Sequence, residues 1–140
     1  MHWPGAFKSG PDLFPRDASG KVETADIDFV DTWKAMEKLL KTGKTRAIGI
    51  SNFAKHEVER LLKETDVVPA VHQLELHPWL QQKAFAQWHK EKGIHISQYS
   101  PFGNQNSFYD SGKNFTKLIV RTPFISHEMR RNRIGQDGTK

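Results

Sequence analysis

The sequence contains no cysteine, which excludes disulfides, thiolate nucleophiles and Cys-ligated zinc. No apolar stretch approaches the ~20 residues that a membrane-spanning helix needs, and Met1-His2-Trp3-Pro4-Gly5 carries no basic-then-apolar leader, so the cytoplasm is the expected compartment. There is no GxGxxG, so any dinucleotide site has to be built without the Rossmann fingerprint. Gly43-Lys44-Thr45 lacks the glycine that a phosphate-binding loop places five residues earlier, where Lys38 stands. His56-Glu57 and His127-Glu128 begin like HExxH zinc motifs but close on Arg60 and Arg131, and no metal site is expected. Tyrosine is scarce as well, with only Tyr99 and Tyr109.

What is present suits a folded chain. The 140 residues, 36% hydrophobic and 26% charged with 4 Trp and 9 Phe, are enough for one domain and argue against disorder. The formal charge of +5 is unevenly placed. Arg121, Arg130, Arg131, Arg133 and Lys140, set against Glu128 and Asp137, put most of it in the last twenty residues. Residues 1–120 are nearly neutral and the basic tail lacks interleaved aromatics, so no nucleic-acid partner is expected.

Residues 4–26, punctuated by Pro4, Gly5, Gly10, Pro11, Pro15 and Gly20, show neither a period of 2 nor one of 3.6 and read as a long loop. From Asp28 the pattern changes. Phe29, Trp33, Met36 and Leu40 recur at helical spacing, and Gly43 supplies a stop, which predicts a helix over 28–42. Three short apolar runs follow. They begin near residues 47, 70 and 94 and read as strands, separated by helical stretches around residues 57–62 and through Phe85 and Trp88 up to Gly93. Ser51 and Asn52 offer cap chemistry before the first of those helices. The spacing is the βαβ rhythm of a parallel sheet. Past Gly103 the pattern fades, residues 104–120 read as loop, and residues 121–140 read as a disordered tail.

Polar residues cluster at the carboxyl ends of the three strands: Ser51-Asn52-Phe53 after the first, Gln73 and Glu75 in the second, Tyr99-Ser100-Pro101-Phe102-Gly103 after the third. In parallel α/β folds sites gather there, because the connecting loops vary without disturbing the sheet. Each has a plainer reading too: Ser51-Asn52 as a helix cap, Tyr99 as packing, and Trp33, Trp88 and the Phe residues of helical stripes as core. His56, His89, His95 and His127 read as surface or internally satisfied side chains. His72 and His77, five apart, point to opposite faces of a straight strand and so cannot share a metal.

In order and spacing, His2-Trp3-Pro4, Asp31-Thr32-Trp33-Lys34-Ala35-Met36-Glu37, Arg46-Ala47-Ile48-Gly49-Ile50-Ser51-Asn52-Phe53, His72-Gln73-Leu74-Glu75-Leu76-His77-Pro78-Trp79-Leu80 and Tyr99-Ser100-Pro101-Phe102-Gly103 resemble the aldo-keto reductases, over residues 2 to about 120. The loop at Gly103-Asn104-Gln105-Asn106 resembles fungal members. The resemblance implies an α/β chain holding part of a (β/α)8 TIM barrel, about three parallel strands with their helices, in which residues 1–26 form the long loop after the fourth strand. It implies an oxidoreductase that binds NADP(H) and reduces aldehydes or ketones. By position, Ser51, Asn52 and Gln73 would hold the nicotinamide carboxamide, Tyr99 would stack on its ring, and Ser100, Phe102 and Asn104 would follow the ribose and diphosphate. His2 would orient the substrate carbonyl as a catalytic residue, and Trp3 would wall the substrate pocket.

The family's proton donor is a tyrosine from an early βα unit, supported by an aspartate and a lysine, and neither Tyr99 nor Tyr109 stands in that place. The sequence therefore reads as about half of a barrel that needs ~250 residues, truncated at both ends, with residues 121–140 foreign to the family. Two functional expectations follow: a reductase segment inactive alone, or a non-catalytic truncated paralogue or interaction fragment that pairs with another chain through its open sheet edges, self-association among the outcomes.

Overall fold

The computed structural model describes residues 1–101 and 103. The described residues divide into two units, Met1–Leu74 with Gln82–Ser97, and Glu75–Gln81 with those from Gln98 onward. The expected loop at the start is pinned by a short antiparallel pairing of β1 (Ala6–Phe7) with β2 (Thr24–Ala25), and an isolated bridge joins Arg16 to Val22. Its turn closes on Asp17, whose carboxylate accepts from the Ser19 and Lys21 amides and the Ser19 hydroxyl. The sequence shows no strand period here because each strand is two residues long.

Helix α1 (Phe29–Leu40) begins where Asp28 accepts a hydrogen bond from the Val30 amide and ends in a turn that reaches Gly43 at φ +71°. The expected helix over 28–42 is thus two residues shorter at its far end, and Asp28 is its cap. Trp33, fully buried, is the centre of its apolar stripe, with Phe29, Met36 and Leu40 packed around the same core. The Trp33 indole N–H donates to the Val67 carbonyl (3.1 Å), and the Glu37 carboxylate accepts from the Asp66 and Val67 amides. These bonds fasten the connection that leads into the second strand of the main sheet.

That sheet contains β3 (Gly49–Ser51), β4 (Val71–Glu75) and β5 (His95–Tyr99), in that order. β3 and β4 are parallel, with Gly49 opposite Val71, Ile50 opposite His72 and Ser51 opposite Gln73. Helix α2 (Lys55–Glu64) connects them and helix α3 (Lys83–Glu91) precedes β5. The cap expected of Ser51 and Asn52 is not used. The N-cap is Ala54, which has no side-chain oxygen, and Glu57 reaches back to accept the Ala54 amide instead (2.6 Å). Helix α3 stops as expected at Gly93, at φ +72°, with the Gly93 amide on Lys90 and the Ile94 amide on His89. Ile94 is carried into the core beside Val30, Ile48, Ile50, Phe53, Val58 and Leu61.

Gly49 is required by the close approach of β4. A Cβ added there would lie 2.6 Å from the Val71 carbonyl oxygen, a backbone atom that cannot move aside without shifting the strand. Gly49→Ala is expected to lower unfolding stability by about 1–3 kcal/mol, the range of an overpacked core site, as measured by urea denaturation.

Candidate functional site

The parallel register places the end of β3 beside the middle of β4 in the first unit. Ser51, buried, donates its hydroxyl to the Gln73 carbonyl (2.9 Å), and the Asn52 amide donates to the same oxygen (3.1 Å). Asn52 then turns at φ +60°, a left-handed conformation that Asn tolerates better than most residues, and its side-chain amide donates back to Ser51 Oγ (3.1 Å). The alternation of β4 turns Gln73 outward between buried His72 and Leu74, and among the described residues no hydrogen bond engages its side-chain amide. Ser51 and Asn52 therefore meet on the backbone carbonyl of Gln73.

The start of the chain reaches the same place. The Met1 nitrogen donates to the Gly49 carbonyl (2.6 Å), and Asn52 Nδ2 donates to the His2 carbonyl (3.3 Å). His2 is exposed and lies edge-on to Trp3, ring centroids 5.5 Å apart, with Trp3 47% exposed. Two residues named from the sequence belong to the second unit. Tyr99 is partly buried and its carbonyl accepts from Leu76, while Ser100 adopts φ +50° and its carbonyl accepts from Gly103. Phe102, Asn104, Tyr109, residues 104–120 and the basic tail lie outside the described residues.

His72 and His77 do not share a strand, because β4 ends at Glu75. His77 sits in a tight turn closed on Leu80, with its Nε2 3.4 Å from Glu75. Among the described residues no group of three or more potential metal ligands exists. His89, expected to be surface or internally satisfied, is fully buried and satisfied.

The feature that sequence reasoning missed is the pairing of His89 with His72, also fully buried. Its hydrogen-bond directions follow from the partners. The Phe85 carbonyl can only accept, so His89 Nδ1 donates to it (2.7 Å), which leaves His89 Nε2 as an acceptor. His72 Nδ1 therefore donates to His89 Nε2 (2.7 Å), and His72 Nε2 accepts the Phe53 amide (3.1 Å). Both rings are neutral. Burial pushes the pKa of His72 down to about 4, aided by its partner ring, and burial lowers that of His89 as well. A signal existed in the sequence: His72 is in phase with Leu74 and Leu76, and His89 follows Phe85 by one helical turn.

Parallel strands joined by helices, with Ser51 and Asn52 gathered on the Gln73 carbonyl where β3 ends, define an α/β protein. Its particular family is clear from comparison. The aldo/keto reductase family model matches residues 1–118, and the chain belongs to that family. An uncharacterized oxidoreductase of Schizosaccharomyces pombe is 55% identical over 119 residues, covering 85% of this chain and 36% of that protein. Aldo-keto reductase family 1 member A1 of Xenopus tropicalis is 45% identical, covering 74% of this chain and 32% of its own length. Among solved structures, the aldose reductase of Giardia lamblia superposes with a TM-score of 0.74 at 36% identity, covering 77% of this chain and 36% of that one. The aldose reductase of Schistosoma japonicum superposes with a TM-score of 0.76 at 28% identity, covering 95% and 40%. The fold is accordingly part of a TIM barrel, and the chain spans between 32% and 40% of the length of these relatives. Among the described residues no helix is long and apolar enough to cross a membrane.

The buried pair sets a pH dependence with a definite sign. With a folded pKa below the unfolded value near 6.5, the unfolded chain binds more protons at mildly acid pH, so unfolding free energy falls as pH falls. Chemical denaturation from pH 7.5 to 4 should show full stability above about 6.5 and progressive loss toward 4, and a His72→Gln variant should show a shallower decline.

Proposed function

We propose that this chain carries the nicotinamide end of an NADP(H) site belonging to a reductase of aldehydes or ketones. The observation that carries the reading is the Ser51, Asn52 and Gln73 cluster. A primary carboxamide offers two N–H donors and a carbonyl acceptor; the Ser51 hydroxyl, held on the Gln73 carbonyl, and the Asn52 side-chain amide lie together, 3.1 Å apart, and the exposed Gln73 side chain supplies a further amide of matching chemistry. The residues thus fit the cofactor, which when bound supplies a hydride. Ser51 donates to the Gln73 carbonyl and accepts from Asn52 Nδ2, which leaves one lone pair in a fixed direction, and Gln73 presents an outward amide. By resemblance, Tyr99 offers a flat face to the nicotinamide ring, and Ser100, Phe102 and Asn104 accompany the ribose and diphosphate. His2 orients the substrate carbonyl and Trp3 supplies an apolar wall beside it. The cytoplasm is the proposed compartment.

Reduction also needs a proton for the alkoxide that develops on the substrate. A positioned acid contributes roughly 10²–10⁴-fold to such a step. Tyr99 is engaged by the ring in this reading, and Tyr109 follows the strand that carries it, so the chain alone binds the cofactor with little turnover.

NADPH fluorescence titration checks the reading directly. The unmodified chain is expected to bind, and Gln73→Ala and Tyr99→Ala are each expected to weaken binding by about tenfold, roughly 1.4 kcal/mol. An unchanged affinity in both variants would contradict it. In a carbonyl-reduction assay with the same preparation, turnover equal to that of an intact reductase would overturn the statement about the proton donor.

A further inference from the structure

Building on the nicotinamide reading, we propose that the buried His72–His89 pair positions the Ser51–Asn52 turn, with His72 as the residue that holds it from β4. The turn is a strained place to leave unsupported. Asn52 sits at φ +60°, and such a conformation persists only where neighbouring bonds over-determine it. Those bonds come from two consecutive residues of β4. Gln73 accepts, through its carbonyl, both Ser51 Oγ and the Asn52 amide, and His72 accepts the Phe53 amide through Nε2. Three successive residues of the turn are thereby tied to one strand, and the contact on the far side of Asn52 is the one that requires a side-chain acceptor at position 72.

An apolar residue at position 72 would fill the space but leave the buried Phe53 amide without an acceptor. The imidazole in turn needs a fixed orientation. His89 provides it by accepting from His72 Nδ1, and His89 is itself held by the Phe85 carbonyl of its own helix. The chain of bonds runs from α3 through β4 to the turn without a charged member. The surroundings keep it so. Phe53 packs edge-on to His72 from the turn, and Phe85 and Trp88 pack edge-on to His89 from α3. Lys55 of α2 and Lys92 after α3 hold their ammonium groups over the Trp88 ring at 5.5 and 6.0 Å. On β4 itself the charged neighbour is Glu75, 3.4 Å from His77.

A proton added to His72 goes to Nε2 and turns the acceptor into a donor facing the Phe53 amide. The turn then loses its hold, and cofactor affinity falls with acid in step with His72 rather than with any exposed group.

The test uses the full chain, NADPH as the probe, and His72→Phe and His72→Gln variants, because the glutamine oxygen can occupy the place of Nε2 without titrating. His72→Phe is expected to speed hydrogen exchange of the Phe53 amide at least tenfold, with α1 amides unchanged, and to weaken NADPH binding five- to tenfold. His72→Gln is expected to restore most of the affinity and to flatten its decline as the pH falls through the range near 4 where His72 takes up its proton. Long-range ¹H–¹⁵N correlations of the unmodified chain at pH 7 should show both histidines protonated on Nδ1 only, a readout that stands even if His72→Phe does not fold. Wild-type affinity in His72→Phe, unchanged exchange at Phe53, or a proton on His72 Nε2 would each overturn the proposal. Failure of the unmodified chain to bind NADPH would overturn the nicotinamide reading instead, while Phe53 exchange still decides whether His72 holds the turn.

Discussion

Gly49 and Val71 stand opposite each other in adjacent parallel strands with no room between them for a Cβ, and the rest of the described structure depends on that contact. A register moved by one residue would turn every side chain of β4 to the other face. With the register as it is, Ile50 and His72 face the core together, and Ser51, at the end of β3, meets Gln73 in the middle of β4. Core and candidate site are therefore consequences of one pairing. The Ser51 hydroxyl and the Asn52 amide, both on the Gln73 carbonyl, extend it past the end of β3.

Around this pairing, the chain uses polar bonds at points where apolar packing alone would leave direction undefined. Trp33 fills the centre of the core, yet its indole N–H also fixes Val67 ahead of β4. The two histidines occupy volume that Leu or Phe could fill, but they form a directed series of hydrogen bonds from Phe53 to Phe85. A fully satisfied buried network of this kind specifies one arrangement of its members. Here the arrangement is that of the turn carrying the proposed carboxamide contacts.

Much of this was legible in the residues. The stripe of Phe29, Trp33, Met36 and Leu40 announced α1, the spacing of short apolar runs announced the parallel sheet, and Gly93 announced the end of α3. That Ser51 and Asn52 lie next to Gln73 follows from two neighbouring parallel strands, which the spacing of the apolar runs announced. Other features depended on distance rather than pattern. β1 and β2 are too short to show a period, and the cap of α2 comes from a glutamate three residues inside the helix rather than from the nearby Ser51 and Asn52. The pairing of His72 with His89 joins residues 17 apart, and only tertiary packing brings a strand residue and a helix residue to 2.7 Å. Their burial could be read from phase with Leu74 and Phe85, whereas their partnership could not.

The central claim is that β3–β4 register builds a carboxamide-binding cluster from Ser51, Asn52 and Gln73. Side-chain amide resonances mapped during titration of the ¹⁵N-labelled chain with NADPH test it most directly. The account predicts saturable shifts of the Asn52 and Gln73 side-chain amides, with the Gln87 amide, bonded to Glu91 on the exposed face of α3, unmoved. Saturable shifts that leave Asn52 and Gln73 in place would contradict it.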